Sequence, residues 1–289
     1  MRLIVTADLH YDILRSQRPT ERLAEEINRA GGDALIIVGD VCGRAPGILR
    51  RCLHLFDSFP GRVFFVAGNH DIWTGQGDSL DRYERELATV CEEAGVWYLD
   101  ARPYVQDGVA LIGSCGWYDY SFRHHELGIP MRFYEHKVAP GAAARLEEYG
   151  GLLDDRHDVT DAMLEITTRW MDGVNVHLPM SDEEFTRRLR DRMAAHLGAV
   201  AGEARQIVVA MHHVPFAEMV HRSGRPNWDF ANAFMGSPLF GELLLSVAEV
   251  RYVFCGHTHR PLRRRIGHIE CVNVGCTYRA KRYETLLVE

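Results

Sequence analysis

Near-continuous apolar runs recur along the chain: Leu3-Ile4-Val5, Ala34-Leu35-Ile36-Ile37-Val38, Val63-Phe64-Phe65-Val66, Val109-Ala110-Leu111-Ile112, Ile207-Val208-Val209-Ala210-Met211 and Tyr252-Val253-Phe254. A strand with one wet face alternates apolar and polar positions, so a run without alternation predicts a strand covered on both faces. Helical patterns lie between the first three runs. Thr20 is placed to cap a helix running through Asn28 and ended by Gly31-Gly32, and Ile48 to Phe59 repeats apolar side chains at helical spacing. Strand–helix–strand alternation predicts an α/β fold with parallel pairing and helices packed on the sheet.

After residue 115 the pattern changes for about ninety residues. Trp117-Tyr118-Asp119-Tyr120-Ser121-Phe122-Arg123-His124-His125 is aromatic and polar without a period, and a helical stretch follows. Its Ser181-Asp182-Glu183-Glu184 has the spacing of a capping box. Strand character returns at Ile207. Residues 116–205 therefore read as a largely helical insertion in a single domain spanning 1–289. The tail from Arg264 to Glu289 reads as short strands with a turn near Gly275.

Polar residues sit at the ends of these runs. Asp8 and His10 follow the first, Gly39-Asp40 the second, and Gly68-Asn69-His70-Asp71 the third. His212-His213 follow the fifth, and Gly256-His257-Thr258-His259 the sixth. In open α/β sheets ligands bind beyond the carboxyl ends of the strands, so these side chains are expected to converge on one rim. Gly39, Gly68 and Gly256 allow sharp turns and close approach there. Carboxylate, amide and imidazole donors without thiolate suit Mn, Fe, Zn, Co or Ni rather than a structural zinc cage. Seven such donors exceed the needs of one tetrahedral ion, and one carboxylate can bridge two ions.

The ordered set D-x-H, G-D, G-N-H-D, H-H, G-H-x-H resembles the calcineurin-like metallophosphoesterase superfamily over residues 1–115 and 206–289. The resemblance implies a four-layer αββα sandwich. It also implies hydrolysis of a phosphate monoester or diester by a hydroxide bridging two metals, most simply Mn, Fe or Zn. Asp8, His10, Asp40 and His259 would hold one metal, and Asp40, Asn69, His212 and His257 the other. His212 is preferred to His213 because it directly follows the apolar run. His70 resembles the histidine that meets the substrate and protonates the leaving oxygen, with Asp71 to orient it. Where phosphoprotein phosphatases continue G-D-x-x-D-R-G, this chain reads Gly39-Asp40-Val41-Cys42-Gly43-Arg44-Ala45. The second Asp is absent, which argues against a protein serine/threonine phosphatase, while Arg44 keeps the spacing to grip a phosphate oxygen.

Composition narrows the partners. The 289 residues are 46% hydrophobic and 25% charged, as expected of a packed core, and no run is long enough to span a bilayer. The amino end lacks a secretory signal pattern. Seven scattered cysteines without C-x-x-C predict buried reduced thiols and a cytoplasmic location. Net charge is −7, and residues 116–205 carry 16 acidic against 11 basic side chains. That insertion would repel a polyanion, which favours a small phosphorylated substrate over nucleic acid. As a lid, its aromatics and histidines would either select the substrate or simply pack the insertion against the sheet. Two rival readings are a scaffold that keeps the fold without turnover and a metal-dependent nuclease.

Overall fold

A computed structural model describes residues 1–288. The strands are β1 (Arg2–Ala7), β2 (Ala34–Val38), β3 (Arg62–Val66), β4 (Trp97–Tyr98), β5 (Tyr104–Gln106), β6 (Val109–Ser114), β7 (Gln206–Met211), β8 (Val250–Cys255), β9 (Leu262–Ile266), β10 (Ile269–Asn273) and β11 (Glu284–Leu287). They form two sheets, ordered β11-β1-β2-β3-β4 and β5-β6-β7-β8-β10-β9. Pairing is parallel from β1 to β4 and from β6 through β7 and β8 to β10. Antiparallel partners close each margin except at β4.

The absence of alternation in the sequence has a direct cause. One side of each strand faces the opposite sheet: Leu3, Val5 and Ala7 of β1, Ile36 and Val38 of β2, and Phe64 and Val66 of β3 pack with Leu111, Val208, Ala210, Phe254 and Val272. The other side meets helices. Ile4, Leu35, Ile37 and Phe65 lie in a core with Leu23 and Ile27 of the helix Leu14–Ala30, whereas Ile112 and Val209 join Phe185, Leu189 and Met193 of the helix Asp182–Val200. Full burial of each Leu, Ile, Val, Phe or Met side chain among these contributes roughly 1.5–3 kcal/mol. The result is the αββα sandwich, with the inter-sheet layer as its dry centre.

Two expectations need correction. Thr20 does not cap a helix, because the helix begins six residues earlier at Leu14 and carries Pro19 inside it. The Thr20 hydroxyl instead donates to the Leu9 carbonyl at 3.0 Å, as Ser16 does at 2.7 Å. The helix is thereby pinned to the loop between Asp8 and His10. Nor do the polar strand ends share the rim of one sheet. β1, β2 and β3 belong to one sheet and β7 and β8 to the other, so the residues gather at the seam where two carboxyl edges meet.

The segment between β6 and β7 is the crossover joining two adjacent parallel strands. Its first part consists of short helical turns. Its last is the helix Asp182–Val200, opened by the reciprocal Ser181–Glu184 capping box that the spacing predicts. The tail forms β9 to β11, Gly275 has a left-handed φ of +72°, the loop closes through Thr277 N–H to Ala280 O at 2.9 Å, and Glu289 lies outside the described residues. All seven cysteines are buried and free, and no described helix is long and apolar enough to cross a membrane.

Candidate metal centre

Backbone bonds stitch the strand-end loops together. Asp8 N–H donates to Gly39 O at 3.0 Å, His10 N–H to Asp40 O at 2.7 Å, and His257 N–H to the Asp8 carboxylate at 2.8 Å. Space at the seam is minimal. A Cβ on Gly39, whose φ is +72°, would sit 2.4 Å from the His212 ring, and one on Gly68 would lie 2.3 Å from the Asp40 carboxylate. Asp8, His10, Asp40, His257 and His259 all have φ between 42° and 68°. Left-handed backbone at non-glycine residues costs free energy and persists where surrounding structure enforces it, commonly at functional sites.

The side chains converge as two groups. Asp8, His10, Asp40 and His259 each offer one donor atom within 4.8 Å of the others, and Asp40, His212 and His257 do the same. Asp40 belongs to both. In the first group the Nε2 atoms of His10 and His259 lie 3.2 Å apart, each 3.7 Å from a carboxylate, Asp40 and Asp8 respectively. In the second, His257 Nδ1 faces His212 Nε2 at 3.1 Å, and His212 Nε2 is 3.3 Å from Asp40. The remaining ring nitrogens have fixed partners: His212 Nδ1 meets the Val38 carbonyl and His257 Nε2 the Phe234 carbonyl, both at 3.1 Å. Such bonds set the tautomer and turn the other nitrogen's lone pair toward the centre.

Electrostatics agree with the geometry. Burial raises the Asp40 carboxyl's pKa, but the imidazoles of His212, His70 and His10 overcome it and hold the group well below its ordinary value. Burial lowers His212, yet Asp40 overrides that and lifts it to about 9. Asp40 thus draws positive charge into the centre. Burial pushes Asp8 up, and it pushes His10 and His257 well down, keeping those imidazoles neutral and able to ligate.

Asn69 is buried. Its Nδ2 donates to Asp172 at 2.9 Å, and its Oδ1 has no hydrogen-bond partner. Its neighbours on both sides press against Asp40, since His70 N–H donates to that carboxylate at 3.0 Å and Gly68 abuts it. Asp8 Oδ2 is likewise buried without a partner. Orphaned buried acceptors are costly, and a cation beside each would satisfy it. Two groups of carboxylate and imidazole donors sharing Asp40, with the unpartnered Asn69 Oδ1 beside that carboxylate's loop, thus fit a pair of metal ions.

His213 stands apart. Its Nδ1 meets the Cys115 carbonyl at 3.0 Å, its ring packs on Trp117, and burial with nearby His212 lowers its pKa to about 3. His70 reaches the rim, 19% exposed, with Nε2 3.9 Å from Asp40 and its ring stacked on Trp73 at 3.8 Å.

Asp71 has a different task from the one expected. Its two oxygens accept the backbone N–H groups of Asp40, Val41, Cys42 and Gly68 at 2.8 to 3.0 Å. Wholly occupied, it holds the metal loops rather than orienting His70. Arg44 is exposed and donates to Asn175 Oδ1 at 2.7 Å, outside both donor groups. Trp117, Tyr118 and Tyr120 are buried packing residues, whereas His125 is exposed.

The sequence reading missed several neighbours. Trp73 sits three residues beyond His70, and its place in the motif loop could have flagged it. Tyr278 packs on His10 at 4.9 Å and on His259 at 5.4 Å, under the Arg15 guanidinium. Asp172 and the Phe234 carbonyl carry no sequence signal.

A model of calcineurin-like phosphoesterases matches residues 1–261. The chain belongs to the calcineurin-like phosphoesterase family. Among solved structures, phosphopantetheinyl hydrolase from Mycobacterium tuberculosis is similar at 18% identity and TM-score 0.64, with 96% of this chain and 89% of that one covered. A dimetal phosphatase from Danio rerio aligns at 14% identity and TM-score 0.51, covering 94% and 86%. A Thermus thermophilus protein, TT1561, aligns at 13% and 0.51, covering 98% and 97%. These likenesses concern the fold. No curated protein matches. Membership in this family, with the two donor groups, supports a hydrolase acting on phosphoester bonds through a dinuclear metal site.

Proposed function

We propose that the protein hydrolyses a small phosphate ester, with Asp8, His10, Asp40 and His259 holding one metal and Asp40, Asn69, His212 and His257 holding the other. The observation that carries this is the sharing of Asp40 between two donor groups, the second of which has its remaining ring nitrogens already committed to carbonyls. Bound there, two metal ions would supply an activated water and neutralise charge in a displacement at phosphorus.

The protein's own groups do the rest. His70 is the proton donor to the leaving oxygen, since it alone of the motif histidines combines rim exposure with nearness to Asp40 and lies outside both donor groups. Asp71 keeps Asp40 and Asn69 in register through the loop amides. Arg44 spends its Nε–H on Asn175, which leaves its terminal N–H groups to grip a phosphate oxygen. The 116–205 segment selects the substrate from above the rim, to which Asp172 ties it. Free buried thiols suit a reducing, cytoplasmic compartment.

The nuclease reading is disfavoured by charge. Arg263, in the only three-arginine run, is spent on Glu270 and Glu284. The scaffold reading is disfavoured by the complete donor set. The test is to strip the metals, add Mn back, and assay phosphomonoesters, cyclic nucleotides, a phosphopantetheinyl substrate and nucleic acids. Metal-dependent turnover of a small ester is expected. Two bound metals with no turnover of any would leave a scaffold, and cleavage of nucleic acid alone would establish a nuclease.

A further inference from the structure

Asp172 lies in the crossover between β6 and β7 and is 1% exposed. Its Oδ1 accepts from Asn69 Nδ2 at 2.9 Å and from Trp73 Nε1 at 2.7 Å, and its Oδ2 accepts from the Tyr118 hydroxyl at 3.1 Å and Trp170 Nε1 at 2.8 Å. All four donors are neutral, and no cation pairs with it among the described residues. A buried carboxylate without a counter-charge is costly, and similar space filled by apolar groups is often more stable. Four converging donors supply what its two oxygens require.

We propose that Asp172 is a positioning residue that sets one metal ligand and the proton donor together. This rests on the ligand role of Asn69 and the acid role of His70 given above. The two ends of an amide differ little in shape, so an unheld Asn69 flips and turns N–H groups toward a cation. An anionic acceptor on Nδ2 fixes the orientation and leaves Oδ1 for the metal. The same Oδ1 of Asp172 fixes the indole of Trp73, on which the His70 ring lies at an interplanar angle of 22°.

The anchor extends further through Trp170. Its ring stacks on Phe234 at 5.2 Å and meets His257 edge-on at 5.6 Å, and Phe234 supplies the carbonyl that orients His257. The insertion therefore braces Asn69 and His257, both on the metal that Asp40 shares with His212. The other metal lacks this support, so the two are expected to respond differently.

The experiment is Mn titration of the metal-free full-length protein and of Asp172→Asn. We expect one of two sites to weaken by about 10–100-fold, the range for residues that orient ligands, while the other changes far less. A folded variant that binds two Mn at wild-type affinities overturns the proposal. A wild-type protein that binds no Mn overturns the metal-centre reading, and the proposal falls with it. Trp73→Phe, which keeps a ring and leaves Asp172 intact, serves if Asp172→Asn does not fold. Both metals stay, and the rate should fall for alkyl phosphates more than for nitrophenyl phosphate. Equal rates to wild type on both substrates would remove Trp73, and its tie to Asp172, from the mechanism.

Discussion

The Nε2 atoms of His10 and His259 face each other 3.2 Å apart, although 249 positions separate them in the chain. Burial keeps His10 neutral. Two imidazole nitrogens at that distance, flanked by Asp8 and Asp40, are placed as two of four donors that could hold one metal.

Asp40→Asn should impair both metal positions, because the carboxylate belongs to both donor groups, 3.7 Å from His10 in one and 3.3 Å from His212 in the other. Saturating metal at about 100 times its Kd stabilises a protein by roughly 2.7 kcal/mol per site. The Mn-induced rise in melting temperature should shrink accordingly in the variant. Two Mn bound at wild-type affinity would contradict a shared carboxylate.

His70→Ala should retain both metals and lose rate. Proton donation is worth about 10²–10⁴-fold, so the loss should be large on alkyl phosphates and small on nitrophenyl phosphate, whose leaving group needs no proton. Equal activity toward a poor leaving group would exclude His70 as the acid.

Asp71→Asn distinguishes a loop anchor from a catalytic partner. An amide replaces one accepting oxygen with a donor and strands at least one of the four backbone N–H groups. Unmet buried donors facing a lost carboxylate should cost about 1–3 kcal/mol each in a urea melt. Wild-type stability with a selective loss of rate would return Asp71 to the chemistry.

Asp100 gives a pH dependence away from the metals. It accepts from Ala67 N–H, Cys115 N–H and the Tyr83 hydroxyl, yet burial outweighs these bonds and raises its carboxyl to about 6 from an ordinary 3.8. The folded state therefore binds its proton more tightly than the unfolded state does. This contribution is fully present below about pH 4 and is lost as pH rises through about 6, on the order of 3 kcal/mol. Asp100→Asn does not titrate. Wild-type stability relative to the variant should fall between pH 4 and 6, and a constant difference across that window would refute the assignment.

Much of this was legible in the sequence because it is local. Unalternated runs mark strands covered on both faces, and each of the six forms a strand. The polar residues that end them are set by chain order alone, and the family pattern follows from those short motifs. The Ser181–Glu184 box formed because its partners are three residues apart.

What required tertiary structure depends on distance. Apolar periodicity does not say which sheet a strand joins, so a single rim was expected where two sheets meet. The anchoring of Thr20 to Leu9 overrode its cap signal, since the helix gained a turn and a tether to the metal loop. Packing also sets which of His212 and His213 faces Asp40 across the seam. The partnership of Asp172 with Asn69 and Trp73 joins residues 103 and 99 positions apart. A lone Asp in an irregular stretch has no period to reveal it. The sequence by itself determined the donors and the chemistry they suit. Only packing decided how those donors are oriented, and through Asp172 it made the inserted segment part of the site.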